Sequence, residues 1–376
     1  MRWGIVFGVA AAALVAGGVL AWTAVSQDRE FQRLIAAGET ALAQDQTFTA
    51  IEAFSGALAL ESDSMLAYLK RGDTYRRRGE LAAALRDLRA ASALEPTAPR
   101  PVELLGDVNA GMGRYERAIE DYRRFIALDD RSPRVLYKLA YTYYRNGQAT
   151  KAIEPLREAL AIDGRLGEAH YLLGLCLREG GHQPDAVTSL RRALELNPAF
   201  AAAREELALL YSSLHRDRES LEQLEALAAL EPGSPERMIR VGLAYARQGR
   251  IESAIVTLGR AAERYPDDPA VYTALGRLWL ESASSRNDRV ALDKALEALG
   301  PAAARPAATS ETLALYGRAL FLSGNAEAAV RTLQQATSRS PVEPLAYLYL
   351  SDAAASVNDT SVAHDAEMRY AALNEP

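Results

Sequence analysis

The sequence predicts an all-α solenoid of stacked helical hairpins preceded by one transmembrane helix. Three observations lead there. A small–aliphatic residue pair returns at one fixed spacing, a stretch near the N-terminus carries no charge, and alanine and leucine abound while runs of Val, Ile and Thr are scarce. The 376 residues exceed what one ordinary core holds. With 49% hydrophobic and 24% charged residues, little of the chain reads as disordered.

Residues Trp3 to Val25 contain no charged side chain. As a helix, this run would span about 35 Å, enough for a hydrocarbon core of roughly 30 Å. Arg2 flanks one end, and Gln27, Asp28, Arg29 and Glu30 flank the other. Trp3 and Trp22 fall where amphipathic rings prefer the interface. Positive charge on the cytoplasmic side then places the N-terminus inside. The expectation is a single-pass anchor, residues 1–26, in a bacterial inner membrane, with the rest of the chain in the periplasm or outside. The alternative is a signal cleaved near Ala24-Val25-Ser26, which would release the chain as a secreted protein. The apolar run exceeds the roughly 7–15 residues of a signal core, which favours the anchor.

The periodic pairs are Ala50-Ile51, Ala84-Leu85, Ala118-Ile119, Ala152-Ile153, Ala186-Val187, Ser220-Leu221 and Ala254-Ile255. Twelve residues before each lies another small residue: Gly38, Gly72, Gly106, Ala140, Gly174, Ala208 and Gly242. Five before it there is usually a glycine, as at Gly79, Gly113, Gly147, Gly181 and Gly249. Four after it stands a large residue: Phe54, Leu88, Tyr122, Leu156, Leu190, Leu224 or Leu258. Proline recurs at Pro96, Pro198, Pro232 and Pro266. Small residues let two helices approach, and the glycine takes a left-handed conformation that ends the first helix. The large residue is expected to fill the space between hairpins. The proline stops the second helix or opens the next.

This pattern resembles the tetratricopeptide repeat, whose period is about 34 residues. It covers roughly residues 31–376. The resemblance implies a right-handed superhelix with a concave groove lined mainly by the first helix of each hairpin. About eight units are expected over residues 31–299. Within the eighth, the pair is read as Ala291-Leu292 and the inner turn as stretched through Ser282–Asp288. An Ala/Pro-rich linker is expected at 300–309, with a soft boundary near residue 305. Two further units are expected over 310–376, the last helix carrying His364, Asp365, Glu367 and Arg369 as a polar capping face.

Catalytic chemistry finds no foothold in the sequence. The four histidines, His170, His182, His215 and His364, share no metal-ligand spacing. There is no Gly-rich phosphate loop and no nucleophile elbow. The one cysteine, Cys176, lies in the apolar run Tyr171–Leu177 and reads as a core residue. No enzyme, cofactor or small-molecule substrate is expected. A net charge of −6 opposes general nucleic-acid binding. Only Lys70, Lys138, Lys151 and Lys294 are lysines; with so much alanine and arginine, this composition is associated with bacteria.

The family geometry implies that groove residues lie just off the packing positions of the first helices. These are Lys70, Asp73, Arg77, Arg100, Asp107, Arg134, Tyr137, Lys138, Tyr141, Tyr144, Arg145, Tyr171 and Arg178. Arginine and tyrosine dominate, the residues favoured at binding hot spots. The expected centre, Tyr137 to Arg178, would take an extended peptide or helix with acidic and aromatic residues. The competing reading is that these residues are merely solvated helix faces. Tyr143, Tyr211 and Tyr245 are expected at packing positions instead. Around Glu205, Glu206, Ile239, Arg240 and Leu243 the groove is expected to be mixed and more apolar. The function expected is a scaffold or assembly factor at the membrane that binds protein or peptide partners. The alternative is an accessory part of glycan export or modification machinery.

Overall fold

The computed structural model describes residues 2–286 and 288–374, without the side chains of residues 2–21, Ala24, Arg286 and Asn374. The described residues form twenty α-helices and no strand. Helix α1 is Arg2–Ala43 and α2 is Thr47–Leu60; pairs of about 13 and 14 residues follow through α3 (Met65–Arg77) and α4 (Leu81–Leu94). The first helices of the next hairpins are α3, α5 (Pro99–Gly111), α7 (Pro133–Arg145) and α9 (Gly167–Glu179). Their partners are α4, α6 (Tyr115–Leu128), α8 (Ala149–Ile162) and α10 (Gln183–Leu196). Isolated helices of this length are marginal in water, so packing between them decides the fold.

The chain divides into two compact units, Met1–Asn197 and Pro198–Pro376. In each, a helix packs on its predecessor and successor in the chain, and some odd-numbered helices also touch the next odd-numbered helix, as α3 touches α5 and α7 touches α9. The second unit contains α11 (Ala201–Ser213), α12 (Asp217–Leu230), α13 (Pro235–Arg247), α14 (Ile251–Arg264), α15 (Pro269–Arg286) and α16 (Arg289–Ala303). It ends with α17 (Ser310–Leu322), α18 (Ala326–Thr337), α19 (Leu345–Ser356) and α20 (Thr360–Asn374).

Each hairpin with a glycine at the small position closes on one small–large contact. A Cβ at Gly38 would lie 2.4 Å from the Phe54 ring, at Gly106 2.5 Å from Tyr122, at Gly174 2.7 Å from Leu190 and at Gly242 2.7 Å from Leu258. The large residues therefore fill the space within their own hairpin, directly under the small residue, rather than only the space between hairpins. Leu88, Leu156, Leu190 and Leu258 are fully buried there. At about 1.5–3 kcal/mol each, such side chains outweigh the roughly 1 kcal/mol that a helical glycine costs.

The inner turns repeat as well. In the second hairpin Glu80 N donates to Tyr75 O at 2.9 Å and Gly79 N to Arg76 O at 3.0 Å, a Schellman arrangement with Gly79 at φ 78°. The equivalent positions elsewhere are not all glycine: Asp45, His215 and Asn358 also adopt positive φ, near 60°. Side chains at left-handed φ cost roughly 1–2 kcal/mol. His215→Gly is thus expected to stabilise the sixth hairpin by about 1 kcal/mol, read as slower hydrogen exchange in α11 and α12. Unchanged or faster exchange would refute it.

The eighth hairpin departs from expectation. Ser282 to Arg286 continue α15 as helix, because no glycine stops it, and Asp288 then caps α16 by accepting from Val290 N at 2.9 Å. A Cβ at Gly276 would meet Leu299 at 2.4 Å, so the packing pair is Ala295-Leu296, one turn after Ala291-Leu292. Helix α16 also runs through Ala303, into the segment expected as linker, and Ala302 and Ala308 are buried.

The expected membrane segment, residues 3–25, belongs to α1, and most of its side chains lie outside the described residues. Among the described residues no helix is long and apolar enough to cross a membrane. Trp22 and Val25 are exposed, and Phe31 and Ile35 further along are buried in the first hairpin.

Candidate functional site

The expected groove residues all fall in the first unit, on α3, α5, α7 and α9. The densest polar cluster joins α5 to α7. Glu103, 1% exposed, accepts from Arg100 Nη1 at 2.6 Å, from Lys138 Nζ at 2.8 Å and from Arg134 Nη2 at 3.0 Å. Lys138 also reaches Asp107 at 2.7 Å, and Asp107 accepts a 2.7 Å bond from the Tyr122 hydroxyl. Burial disfavours the Glu103 carboxylate, but the hydrogen bonds and charges of Lys138 and Arg100 prevail and hold it below the usual carboxylate range. Burial first, then the charge of Asp107, pushes the Tyr122 phenol well up.

The next turn of α7 is aromatic. Tyr137 and Tyr141 stack with centroids 6.3 Å apart and planes 17° from parallel. Arg145 Nη1 donates to the Tyr141 hydroxyl at 3.2 Å. Its guanidinium lies 5.9 Å from the ring centres of both Tyr141 and Tyr115. Tyr141 is 42% exposed and Tyr137 half-buried. Burial, then Glu168 and Tyr141, raises the Tyr137 phenol. Burial and then Glu179 raise that of Tyr144. Both tyrosines are neutral donors at physiological pH.

Comparison with known proteins agrees with the repeat fold. A family model described as "Tetratricopeptide repeat" matches residues 35–99, and another of the same description matches 218–278. A model described as "Anaphase-promoting complex, cyclosome, subunit 3" matches 111–193. The chain carries tetratricopeptide repeats. Among solved structures, the C-terminal part of a TPR repeat-containing protein from Cytophaga hutchinsonii is 17% identical with a TM-score of 0.57, over 64% of this chain and 99% of that one. A tetratricopeptide repeat protein from Parabacteroides merdae is 16% identical over 66% of this chain and 98% of that one, at TM-score 0.48. YrrB, described as a TPR protein with an unusual peptide-binding site, is 21% identical over 49% of this chain and 95% of its own, at TM-score 0.45. No curated protein matches.

Within the tetratricopeptide array the expected residues separate into two sets. Arg100, Asp107, Arg134 and Lys138 share one network, and Tyr137, Tyr141 and Arg145 share the aromatic patch beside it. Lys70 instead pairs with Glu39 of α1 at 2.5 Å, and Arg77 pairs with Asp73 at 3.1 Å on its own helix. Tyr144 is half-buried on α7, and Tyr171 and Arg178 are half-buried on α9. Glu103 was missing from the sequence-derived set. Its partners lie 31 and 35 residues ahead, one repeat away, which is the only signal that could have found it. Tyr143 and Tyr211 are buried at packing positions, and Tyr245 is half-buried against two core clusters.

The second unit carries its own concavity. Ile239, Leu243, Ala270 and Ala274 line a cavity of about 540 Å³, edged by Arg277 and its ion-pair partner Glu311. Arg318 borders the next concavity, pairs with Asp352 at 2.8 Å and lies 5.0 Å from the Tyr349 ring centre. Cys176 is fully buried, and burial pushes its thiol up to about 12, so it is protonated and poorly nucleophilic. Among the described residues no group of three or more His, Cys, Asp and Glu could hold a metal ion.

Proposed function

We propose that this tetratricopeptide protein is a non-catalytic scaffold held at a bacterial inner membrane by residues 3–25, with its array outside the cytoplasm. It takes a partner segment bearing acidic and aromatic side chains along α7 and α9. The repeat family supports the scaffold role. The charge-free run between Arg2 and Gln27 supports the anchor. The observation that carries the site is the Tyr137–Tyr141 stack with Arg145 beside it. Stacked tyrosines offer area at low entropy cost, and an arginine held over rings is pre-oriented for a carboxylate. Arg100, Arg134 and Lys138 supply less, because Glu103 and Asp107 already engage them.

The site is tested with a fluorescent peptide panel varied in Asp, Glu, Phe, Tyr and Trp content. Acidic–aromatic peptides should bind best. Tyr141→Ala with Arg145→Ala should weaken them at least about tenfold, as truncated hot spots do. Arg134→Ala should weaken them less. Equal binding by the double variant would dismiss the site. The anchor is tested separately: a reporter fused after residue 376 should be active outside the cytoplasm, and activity inside it would reverse the orientation.

A further inference from the structure

Two adjacent repeats place an aspartate at the same position but treat it differently. Asp87 on α4 is held by Arg71 through a bidentate pair at 2.6 and 3.0 Å. Its equivalent one repeat further on is Asp121 on α6, and the position of Arg71 is there taken by the buried Leu105. Among the described residues no direct cation pair replaces it. The partner is Asn109 on α5, whose Nδ2 donates to Asp121 Oδ2 at 2.7 Å. Asn109 stands where other repeats carry Tyr75, Tyr143, Tyr211 and Tyr245. It is 3% exposed, and its carbonyl Oδ1 is buried with no hydrogen-bond partner.

An orphaned buried acceptor next to a carboxylate has a simple remedy. We propose that Asp121 and Asn109 form a proton-operated clamp across the third hairpin. In the ionised form this pair contributes one hydrogen bond between α5 and α6, beside that of Tyr122 to Asp107. When solvent supplies a proton to the other Asp121 oxygen, Oδ1, that hydroxyl donates to Asn109 Oδ1, and the acid and amide close a ring of two antiparallel hydrogen bonds. No buried acceptor is then left over. The surrounding groups permit this. Burial raises the affinity of Asp121 for its proton, and Glu120 on the same helix adds to that. The Asn109 bond, Arg124 on α6 and Arg89 on α4 oppose it without overcoming it. Tyr122, next in sequence, is neutral.

For a carboxyl whose folded-state proton affinity is raised, the added stability is fully present below the unfolded value of about 4 and is lost as pH rises through the folded midpoint. The clamp therefore tightens α5, which carries Glu103 and Asp107, as the medium acidifies.

The experiment uses the full-length chain. A carboxyl-labelled aspartate spectrum, assigned with Asp121→Asn, should show Asp121 titrating above about 4. Asp121→Asn mimics the protonated acid with an amide. At pH 7 it should lower the opening constant of α5 and α6, read by hydrogen exchange, about fivefold. The gain should shrink as the wild type is acidified, and it should vanish in an Asn109→Leu background. A midpoint at or below about 4, easier opening of Asp121→Asn at pH 7, or a gain that persists undiminished without Asn109 would each overturn the clamp.

Discussion

Gly106→Val is expected to unfold the third hairpin and to cost the array about 3 kcal/mol. A Cβ at Gly106 would sit 2.5 Å from Cε1 of Tyr122. The ring has nowhere to go: Tyr122 is 2% exposed, and its hydroxyl is held by Asp107 at 2.7 Å. Valine adds two methyl groups to this contact, and an overfilled core forces backbone shifts worth roughly 1–3 kcal/mol. Loss of the Tyr122–Asp107 bond brings the total to the upper end. Gly106→Ala should cost less, because better helix propensity returns up to about 1 kcal/mol. In the fourth repeat alanine takes the small position and leucine the large one, and Ala140 and Leu156 are both buried. Denaturant unfolding by circular dichroism, with hydrogen exchange to locate the loss, checks the order. A Gly106→Val protein as stable as the wild type would mean that the hairpins are not closed at this contact.

Glu103→Gln should cost about 2 kcal/mol at pH 7, with the loss centred on α5 and α7. Removing one member of a buried pair ordinarily costs roughly 3–5 kcal/mol. The figure is lower here because Arg100 and Arg134 are 46% and 60% exposed, so water can take over part of their solvation. The pH dependence is a sharper test. Glu103 binds its proton more weakly in the folded chain than in the unfolded one. Its contribution is therefore present above the unfolded value of about 4.3 and lost as pH falls through the folded midpoint. The difference between wild type and Glu103→Gln should be constant near neutrality and close in acid. A difference that grows on acidification would contradict the assignment. Asp121 works in the opposite sense, so the two carboxyls of this hairpin can be separated by the direction of their pH response.

Most of the architecture could be read from the period. The spacing of Ala84, Gly72 and Leu88 located the helices because each residue type answers one local demand: approach, closure or termination. What escaped was of two kinds. Asp45, His215 and Asn358 hold the same left-handed turn as the glycines, but only glycine announces that conformation by its identity. Helix α15 ran past its expected end because nothing between Ser282 and Arg286 stops a helix, and the packing pair moved one turn along with it. The site was legible in membership and not in wiring. Arg134 and Lys138 read as free charge on α7, and only the ion pairs between α7 and α5 show them committed to Glu103. The orphaned oxygen of Asn109 is a matter of atoms, beyond what any pattern of residue types carries.

The small–large contact has a consequence for how such a chain is inherited. Phe54 meets Gly38, and Leu190 meets Gly174, across sixteen positions of sequence, so a hairpin is sealed by residues that travel together when a whole hairpin is duplicated. A segment one repeat long, cut in the turns between hairpins, removes both halves of one seal and neither half of another. Arrays built this way can lengthen or shorten by whole copies, and short loops to close keep each new arrangement quick to fold.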